Sequence, residues 1–421
     1  MWYDRSNKKG CDFMLSVSQR DAAELIESSD IKFVRLAFCD VFGVQKNISV
    51  QASELERAFE QGIAFDASSI AGFRDPSHSD LFLFPDPQTM TLLPWRPSRG
   101  GVARFFCEIR NPDGSPFSAD CRRFLADTER LLAEHGLRCD IGAECEFYLF
   151  KLDENGAPTD TPLDRGGYFD IAPADGGENV RREICQTLET MGIQPERSHH
   201  EQGPGQNEID FRYSNALSAA DNVVTFKQVV STVAARNGLW ASFAPKPLEQ
   251  EAGNGFHINC SLAQADVRAD VNESLFQAFM AGVLAHTPEM TAVLNPLESS
   301  YARLGRDKAP NRVSWSPNNR SQLIRIPAAD ASHQRMELRS PDASANPYLA
   351  FALVMRAGLD GILRNLTPPP SCNENLLDAP AALAAQYPAL PADLQAAKQL
   401  MKESAFMQQV LPAHLFAAYT E

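Results

Sequence analysis

The sequence has no Cys-x-x-Cys pair, no basic stripe and no apolar run of membrane-spanning length. Its nine cysteines are scattered and odd in number, which argues against a disulfide framework and for reduced thiols in a cytoplasm. A formal charge of −15 leaves nothing to neutralise a phosphate backbone, so nucleic acid is excluded as a partner. The longest apolar run, residues 348–355, is far too short to cross a bilayer, which excludes a membrane role. Residues 1–13 are polar and charged, unlike a signal peptide. No internal repeat or low-complexity tract is present, although Pro368-Pro369-Pro370 marks a loop. What remains is the composition of a cytoplasmic enzyme, and 421 residues allow two or three ordinary domains.

Residues 1–16 read as a loose leader. Ser18-Gln19-Arg20-Asp21 resembles a capping box that opens a short helix. Strands are predicted near 31–38, 45–50, 81–84, 89–93 and 102–109, with a helix over 53–61 that Gly62 ends. Several strands around a helix predict a small α+β domain over 17–110. Asn111-Pro112-Asp113-Gly114-Ser115-Pro116 is turn-rich and predicts the start of a larger domain over 111–421. There Val180, Ile184, Leu188 and Met191 recur at helical spacing up to Gly192. Further helices are predicted over 219–237, 273–285 and 348–363, and as a pair within 388–419.

The chemistry concentrates between Ser198 and Phe211. Glu201 and Glu208 flank Gly203-Pro204-Gly205, a tight turn between two extended arms. Taken alone, this segment favours a polar surface hairpin. Three other segments bear on it. Alternation over 142–150 puts Glu144, Glu146 and Tyr148 on one strand face and Cys145, Phe147 and Leu149 on the other. Over 253–262, His257, Asn259 and Ser261 share a face, and in Arg335-Met336-Glu337-Leu338-Arg339 three charges alternate with two apolar residues. Such strands predict a cavity lined by Glu144, Glu146, Glu201, Glu208, Glu337 and His257. Five carboxylates and one imidazole suit Mg²⁺ or Mn²⁺ better than zinc. Two such ions suit phosphoryl chemistry on ATP, with Arg320, Arg325, Arg335 and Arg339 facing phosphate and carboxylate oxygens.

Phe65-Asp66-Ala67-Ser68-Ser69-Ile70, the runs 142–147 and 199–209, Lys246-Pro247, the run 253–262, Asn319-Arg320-Ser321 and the run 337–348 fall in order over nearly the whole chain. In these motifs the sequence resembles the glutamine synthetase family, in its bacterial class-I form. The resemblance implies an α+β architecture, with a β-grasp-like N-terminal domain and a larger catalytic domain. The latter is an antiparallel sheet flanked by helices, of glutamine synthetase/guanido kinase type. It implies that Glu146, Glu201 and Glu208 hold one metal ion, and Glu144, His257 and Glu337 a second. Glu196, Tyr213 and Ser261 are then nucleotide contacts, and Arg320, Arg325 and Arg335 phosphate contacts. Arg303 and Arg339 hold substrate carboxylates, in a substrate site shared with Glu146, Gly253 and His257. Asp66, with Ser69 nearby, binds and deprotonates ammonium. His199 and His200 receive no ligand role.

The implied reaction joins glutamate to ammonia or another amine through an acyl phosphate, with ATP converted to ADP and phosphate. The resemblance also implies a homo-oligomer, a hexameric ring or a dodecamer, in which Asp66 reaches the cluster from a neighbouring subunit. The chain stops soon after Tyr419, short of the family's final helix, an expectation of weaker ring stacking. Lys308 stands where the family's flap carries an acid, in a flap one residue short whose Asp307 is the alternative occupant of that place. Ala252 replaces an asparagine that contacts the amino-acid substrate, and Asn375-Leu376-Leu377-Asp378 lacks the tyrosine adenylylated in some members. The metal and ATP half is thus intact and the amine half altered. Two other readings share these residues: a non-catalytic binding or structural assembly, and a metal-dependent small-molecule kinase.

Overall fold

The computed structural model describes residues 19–74, 76–96, 99–265, 270–328 and 334–421, so the leader expected over 1–16 lies outside the described residues. Contacts divide the chain into two compact units, Met1–Arg123 with Thr187–Ile193, and Phe124–Gln186 with Gln194–Glu421.

The first unit carries β1 (Ile31–Cys39), β2 (Gln45–Gln51), β3 (Ile63–Asp66), β4 (Asp80–Pro85), β5 (Thr91–Leu92) and β6 (Gly101–Arg110). They form one sheet in the order β2-β1-β6-β4-β3, with β5 on β6. β1 and β6 run parallel at its centre, and Val34, Leu36, Phe105 and Phe106 are buried there. Helix Leu55–Gln61 buries Leu55, Ala58 and Phe59, and Gly62 ends it as its sequence predicts.

The second unit is built on β7 (Leu137–Leu152), a 16-residue strand. With it come β8 (Pro158–Pro162), β9 (Pro195–His200), β10 (Gln206–Phe211), β11 (Ser214–Asn215), β12 (Leu239–Ser242), β13 (Phe256–Gln264), β14 (Trp315–Pro317), β15 (Ile324–Ile326) and β16 (Met336–Leu338). The 10-stranded sheet has the order β14-β15-β16-β13-β7-β10-β9, while β8, β11 and β12 also pair with β7. Its apolar face packs on helices. Phe147 of β7 meets Phe226 of helix Ala216–Arg236 edge-on, and Phe256 of β13 stacks on Phe351 of helix Pro347–Leu363. Helices Glu273–Leu294 and Pro347–Leu363 cross in backbone contact, since a Cβ on Gly282 would collide with the Ala357 carbonyl.

Two helical expectations are corrected. The helix predicted over 273–285 continues to Leu294, through Pro288. Its buried apolar lining outweighs the lost backbone bond, and the Thr287 hydroxyl donates to the Val283 carbonyl at 2.6 Å within the same turn. The pair predicted within 388–419 is three helices, Leu394–Glu403, Ala405–Val410 and Ala413–Thr420. Ser404 ends the first and caps the second by accepting the Met407 N–H at 3.0 Å. Among the described residues no helix is long and apolar enough to cross a membrane.

These C-terminal helices are latched by a histidine. His286 bonds Glu289 at 2.9 Å and Asp360 at 2.8 Å, and its ring stacks on Phe406. Burial pulls the His286 pKa down, but the two carboxylates outweigh it and raise the pKa above 6.5. The latch therefore stabilises fully below pH 6.5 and weakens as pH rises through the higher folded value. The melting temperature is expected to fall across that window, and His286→Gln to flatten the fall. Parallel profiles for the two proteins would exclude the latch.

Candidate active site

Strand register assembles the site on the polar face of the larger sheet. β7 sends Glu144 and Glu146 to that face, while Cys145 and Phe147 are fully buried on the other. Glu144 lies opposite His257 on β13 and Asp210 on β10, and Asp210 lies opposite Arg197 on β9. Two positions along, Glu146 lies opposite Glu208, which lies opposite His199. Glu337 on β16 is opposite Asn259 on one side and Arg325 on the other. A two-residue step along a strand is about 6–7 Å, so register alone sets two neighbouring acidic rows.

In the first row, His257 Nδ1 lies 3.2 Å from Glu144 and 3.6 Å from Glu337. Asn259 donates to Glu144 at 3.0 Å, Arg325 to Glu337 at 2.6 Å, and Arg339 to the other Glu337 oxygen. In the second row, His199 lies 3.4 Å from Glu208 and 3.6 Å from Glu201. Glu144, His257 and Glu337 offer ligand atoms within 4.8 Å of one another, and so do His199, Glu201 and Glu208.

The sequence grouped Glu146 with Glu201 and Glu208. Glu146 accepts the Gly255 N–H at 2.7 Å and the Gln206 amide at 3.1 Å on one carboxylate oxygen, and His199 lies with Glu201 and Glu208. His199, given no ligand role from the sequence, thus stands beside the two carboxylates. Alternation along β9 puts Arg197 and His199 on one face, towards the site, and turns His200 into the interior.

The rows differ in charge balance. Burial pushes the Glu144 carboxyl up, but His257 and then Asn259 bring it down to about 2. Burial opposes ionisation of Glu337 too, and Arg339 and His257 overcome it. On the other row burial and then Glu146 push Glu201 up to about 8, and burial with Asp210 and Glu146 pushes Glu208 well up. Asp210 rises to about 7 through burial and Glu144, even with Arg197 at 2.8 Å. Close carboxylates with raised pKa values are under-compensated negative charge, which a divalent cation relieves.

The turn carrying Glu201 is over-determined. A Cβ on Gly203 would overlap the Tyr148 hydroxyl, and Gly205 has φ +70° with the Leu149 carbonyl 2.8 Å from its would-be Cβ. Asp164 accepts the Gly166, Gly176 and Gly205 N–H groups and bonds His200 Nε2 at 2.9 Å, while His200 Nδ1 meets the Glu201 carbonyl at 2.7 Å. Both imidazole nitrogens thus face oxygens. Arg181 pairs with Asp175, and its guanidinium donates to Asn207 and Ser198 beside the two acidic arms.

A cavity of about 400 Å³ lies over the acidic rows. Glu144, Glu146, Glu201, Glu208, Gly253, His257, Arg303, Arg320, Arg325, Arg335 and Arg339 line it. A second, of about 740 Å³, is lined by Glu196, Tyr213 and Ser261, and it shares Glu144, Arg197, Asn259 and Arg335 with the first. Arg197, which sequence reasoning missed, thus stands where the two cavities meet. Arg303 is buried, with its guanidinium donating to the Ser340 carbonyl at 2.7 Å. Asp66 belongs to the first unit, at the end of β3, where its carboxylate accepts the Ser68 N–H at 2.8 Å.

Residues 118–421 match the glutamine synthetase catalytic domain, and residues 30–112 the glutamine synthetase beta-grasp domain. The chain belongs to the glutamine synthetase family. It is 45% identical to a glutamine synthetase of Methanosarcina mazei over 412 residues, 96% of this chain and 92% of that one. A glutamine synthetase of Clostridium saccharobutylicum is 42% identical over 420 residues, covering 96% and 94% of the two chains. Among solved structures, a GmaS/ADP complex superposes with a TM-score of 0.86 at 30% identity, covering 95% of this chain and 94% of that one. Ligand-free GmaS gives a TM-score of 0.84 at 30% identity, covering 94% and 93%. This glutamine synthetase-family protein is an enzyme that forms carbon–nitrogen bonds. Its fold is the family's β-grasp domain plus a catalytic domain.

Proposed function

We propose that this enzyme uses ATP to activate the γ-carboxylate of glutamate as an acyl phosphate and passes the acyl group to an amine. The observation that carries the reading is the pair of acidic rows, flanked by arginines and opening onto a nucleotide-sized cavity. The 740 Å³ space is within the range of small-molecule sites, and Glu196, Tyr213 and Ser261 are placed to contact a nucleotide in it. Arg320, Arg325 and Arg335 then face its phosphates, and Arg303 and Arg339, with Gly253, face the carboxylates of glutamate.

The donor sets fit Mg²⁺ or Mn²⁺: carboxylate oxygens with one imidazole in each trio, and unbalanced charge on the His199 row. Glu144, His257 and Glu337 would hold one ion, and His199, Glu201 and Glu208 another, with Glu146 beside them. Bound there, the ions supply neutralisation of phosphate charge during transfer. The amine nitrogen then bonds the acyl carbon, the acyl C–O bond breaks, and phosphate leaves with that electron pair. Asp66, reaching the site from a neighbouring subunit in a hexameric ring or dodecamer, takes the nitrogen's proton. The scattered, mostly buried cysteines fit a cytoplasmic location.

Hydroxylamine trapping tests the reaction. With ATP, glutamate and Mg²⁺ the enzyme is expected to form a hydroxamate, and chelation to abolish it. A stable phosphorylated product without hydroxamate would point to a kinase, and neither product to a non-catalytic assembly.

A further inference from the structure

The loop 303–309 closes on itself. The Gly305 N–H donates to the Ala309 carbonyl at 2.8 Å, and the Ala309 N–H to the Arg306 carbonyl at 2.7 Å. At its tip Asp307 and Lys308 both adopt left-handed backbone, at φ +46° and +70°, which is uncommon for residues other than glycine. Strained backbone persists where surrounding contacts hold it, and the two side chains have different contacts. Asp307 lies 3.1 Å from Lys246 Nζ, on a lysine whose side chain is 5% exposed, so the loop's acid is already matched. Lys308 Nζ stands 5.0 Å over the ring of Tyr168. Tyr168 stacks on Phe169, and Phe169 meets His199 of the acidic row edge-on. The two rings are 47% and 59% exposed. One mouth of the 400 Å³ cavity therefore has an aromatic wall capped by Lys308, with Arg306 on the same rim.

On the ligase reading the nucleotide occupies the side shared with the second cavity, and Arg303 and Arg339 face glutamate. The Tyr168 mouth is then left for the amine. A small ammonium or alkylammonium entering there meets a like charge, already over the ring face that would attract it. An amine with a carboxylate tail meets the reverse arrangement. Its tail pairs with Lys308 and Arg306, its carbons lie on the aromatic wall, and its nitrogen points inward. Resting on that ligase reading, we propose that the amine substrate carries a carboxylate, as amino acids do, and that Lys308 selects it by pairing with that tail. The amine nitrogen of the amino acid bonds the acyl carbon, and the acyl C–O bond breaks with its electron pair on the departing phosphate. The nitrogen's proton passes to Asp66 as in the ligase reading, and the product is a γ-glutamyl amino acid.

The test compares glycine and β-alanine with ammonium and ethylamine, on the natural enzyme and on Lys308→Gln and Lys308→Glu, with hydroxylamine as reference nucleophile. The natural enzyme is expected to show a higher kcat/KM for the amino acids than for ethylamine or ammonium. Lys308→Gln is expected to raise the KM for the amino acids at least about tenfold relative to ethylamine, as losing a charged hydrogen bond does. Lys308→Glu is expected to reverse the order. If hydroxamate forms but ammonium or ethylamine is preferred, or if the substitutions leave the preference unchanged, the assignment of Lys308 is overturned and the ligase reading stands. If no hydroxamate forms at all, the ligase reading fails and the amino-acid substrate with it.

Discussion

Glu337→Gln is expected to slow acyl-phosphate formation by about 10²–10³-fold, the equivalent of several kcal/mol of lost charge stabilisation. Glu337 is 1% exposed and is the point where His257, Arg325 and Arg339 converge. Glutamine keeps the shape and removes the charge. A cation held with Glu144 and His257 loses one anionic ligand, and the two arginines lose the group that orients them. Calorimetric titration with Mn²⁺ measures the lost ligand independently of turnover, and hydroxamate formation at saturating Mg²⁺ measures the combined effect on the reaction. Natural rates with natural Mn²⁺ affinity would remove Glu337 from the ligand set.

Arg181→Ala is expected to destabilise the catalytic unit by about 3–5 kcal/mol, because it strands a buried carboxylate. The Arg181 and Asp175 side chains are 5% and 2% exposed, so water cannot replace the lost partner. Urea unfolding should show a lower midpoint with an unchanged slope. Replacing both partners, as Arg181→Met with Asp175→Leu, should recover much of the loss, since no lone charge then remains. A loss below about 1 kcal/mol in the single variant would place the pair with ordinary surface ion pairs. Asn207 and Ser198 lie next to Glu208 and His199, so Mn²⁺ affinity is expected to fall with stability in the single variant.

The strands of the site were legible because alternation is a local property. Glu144, Glu146, His257, Asn259 and Glu337 each sit between buried apolar neighbours, and one buried face fixes the parity of a strand. The placement of His199 depends on something less local. Its neighbour His200 is the same residue type, and only the register of β9 on β10 separates the one facing Glu208 from the one bonded to Asp164. The extension of helix Glu273–Leu294 past Pro288 was illegible because local propensity opposes it and the deciding term is burial against distant segments. The break at Ser404 was hidden because serine is common both inside loops and at caps, and its partner Glu289 is remote in sequence. The trio of His199, Glu201 and Glu208 depends on side-chain direction, which strand parity narrows without specifying rotamers.

The long strand β7 has a consequence for how the enzyme comes into being. It receives β10, β12 and β13 as direct antiparallel partners, and β16 reaches it only through β13. The acidic rows therefore join positions as far apart in the chain as Glu144 and Glu337. Contacts of such long separation close late, because their loops must be ordered before any pairing rewards them. During synthesis β7 is made before β10, β12 and β13, and the Glu337 strand β16 follows all of them. Chain fragments that end before β16 are then expected to contain β7 and β10 without a complete first trio.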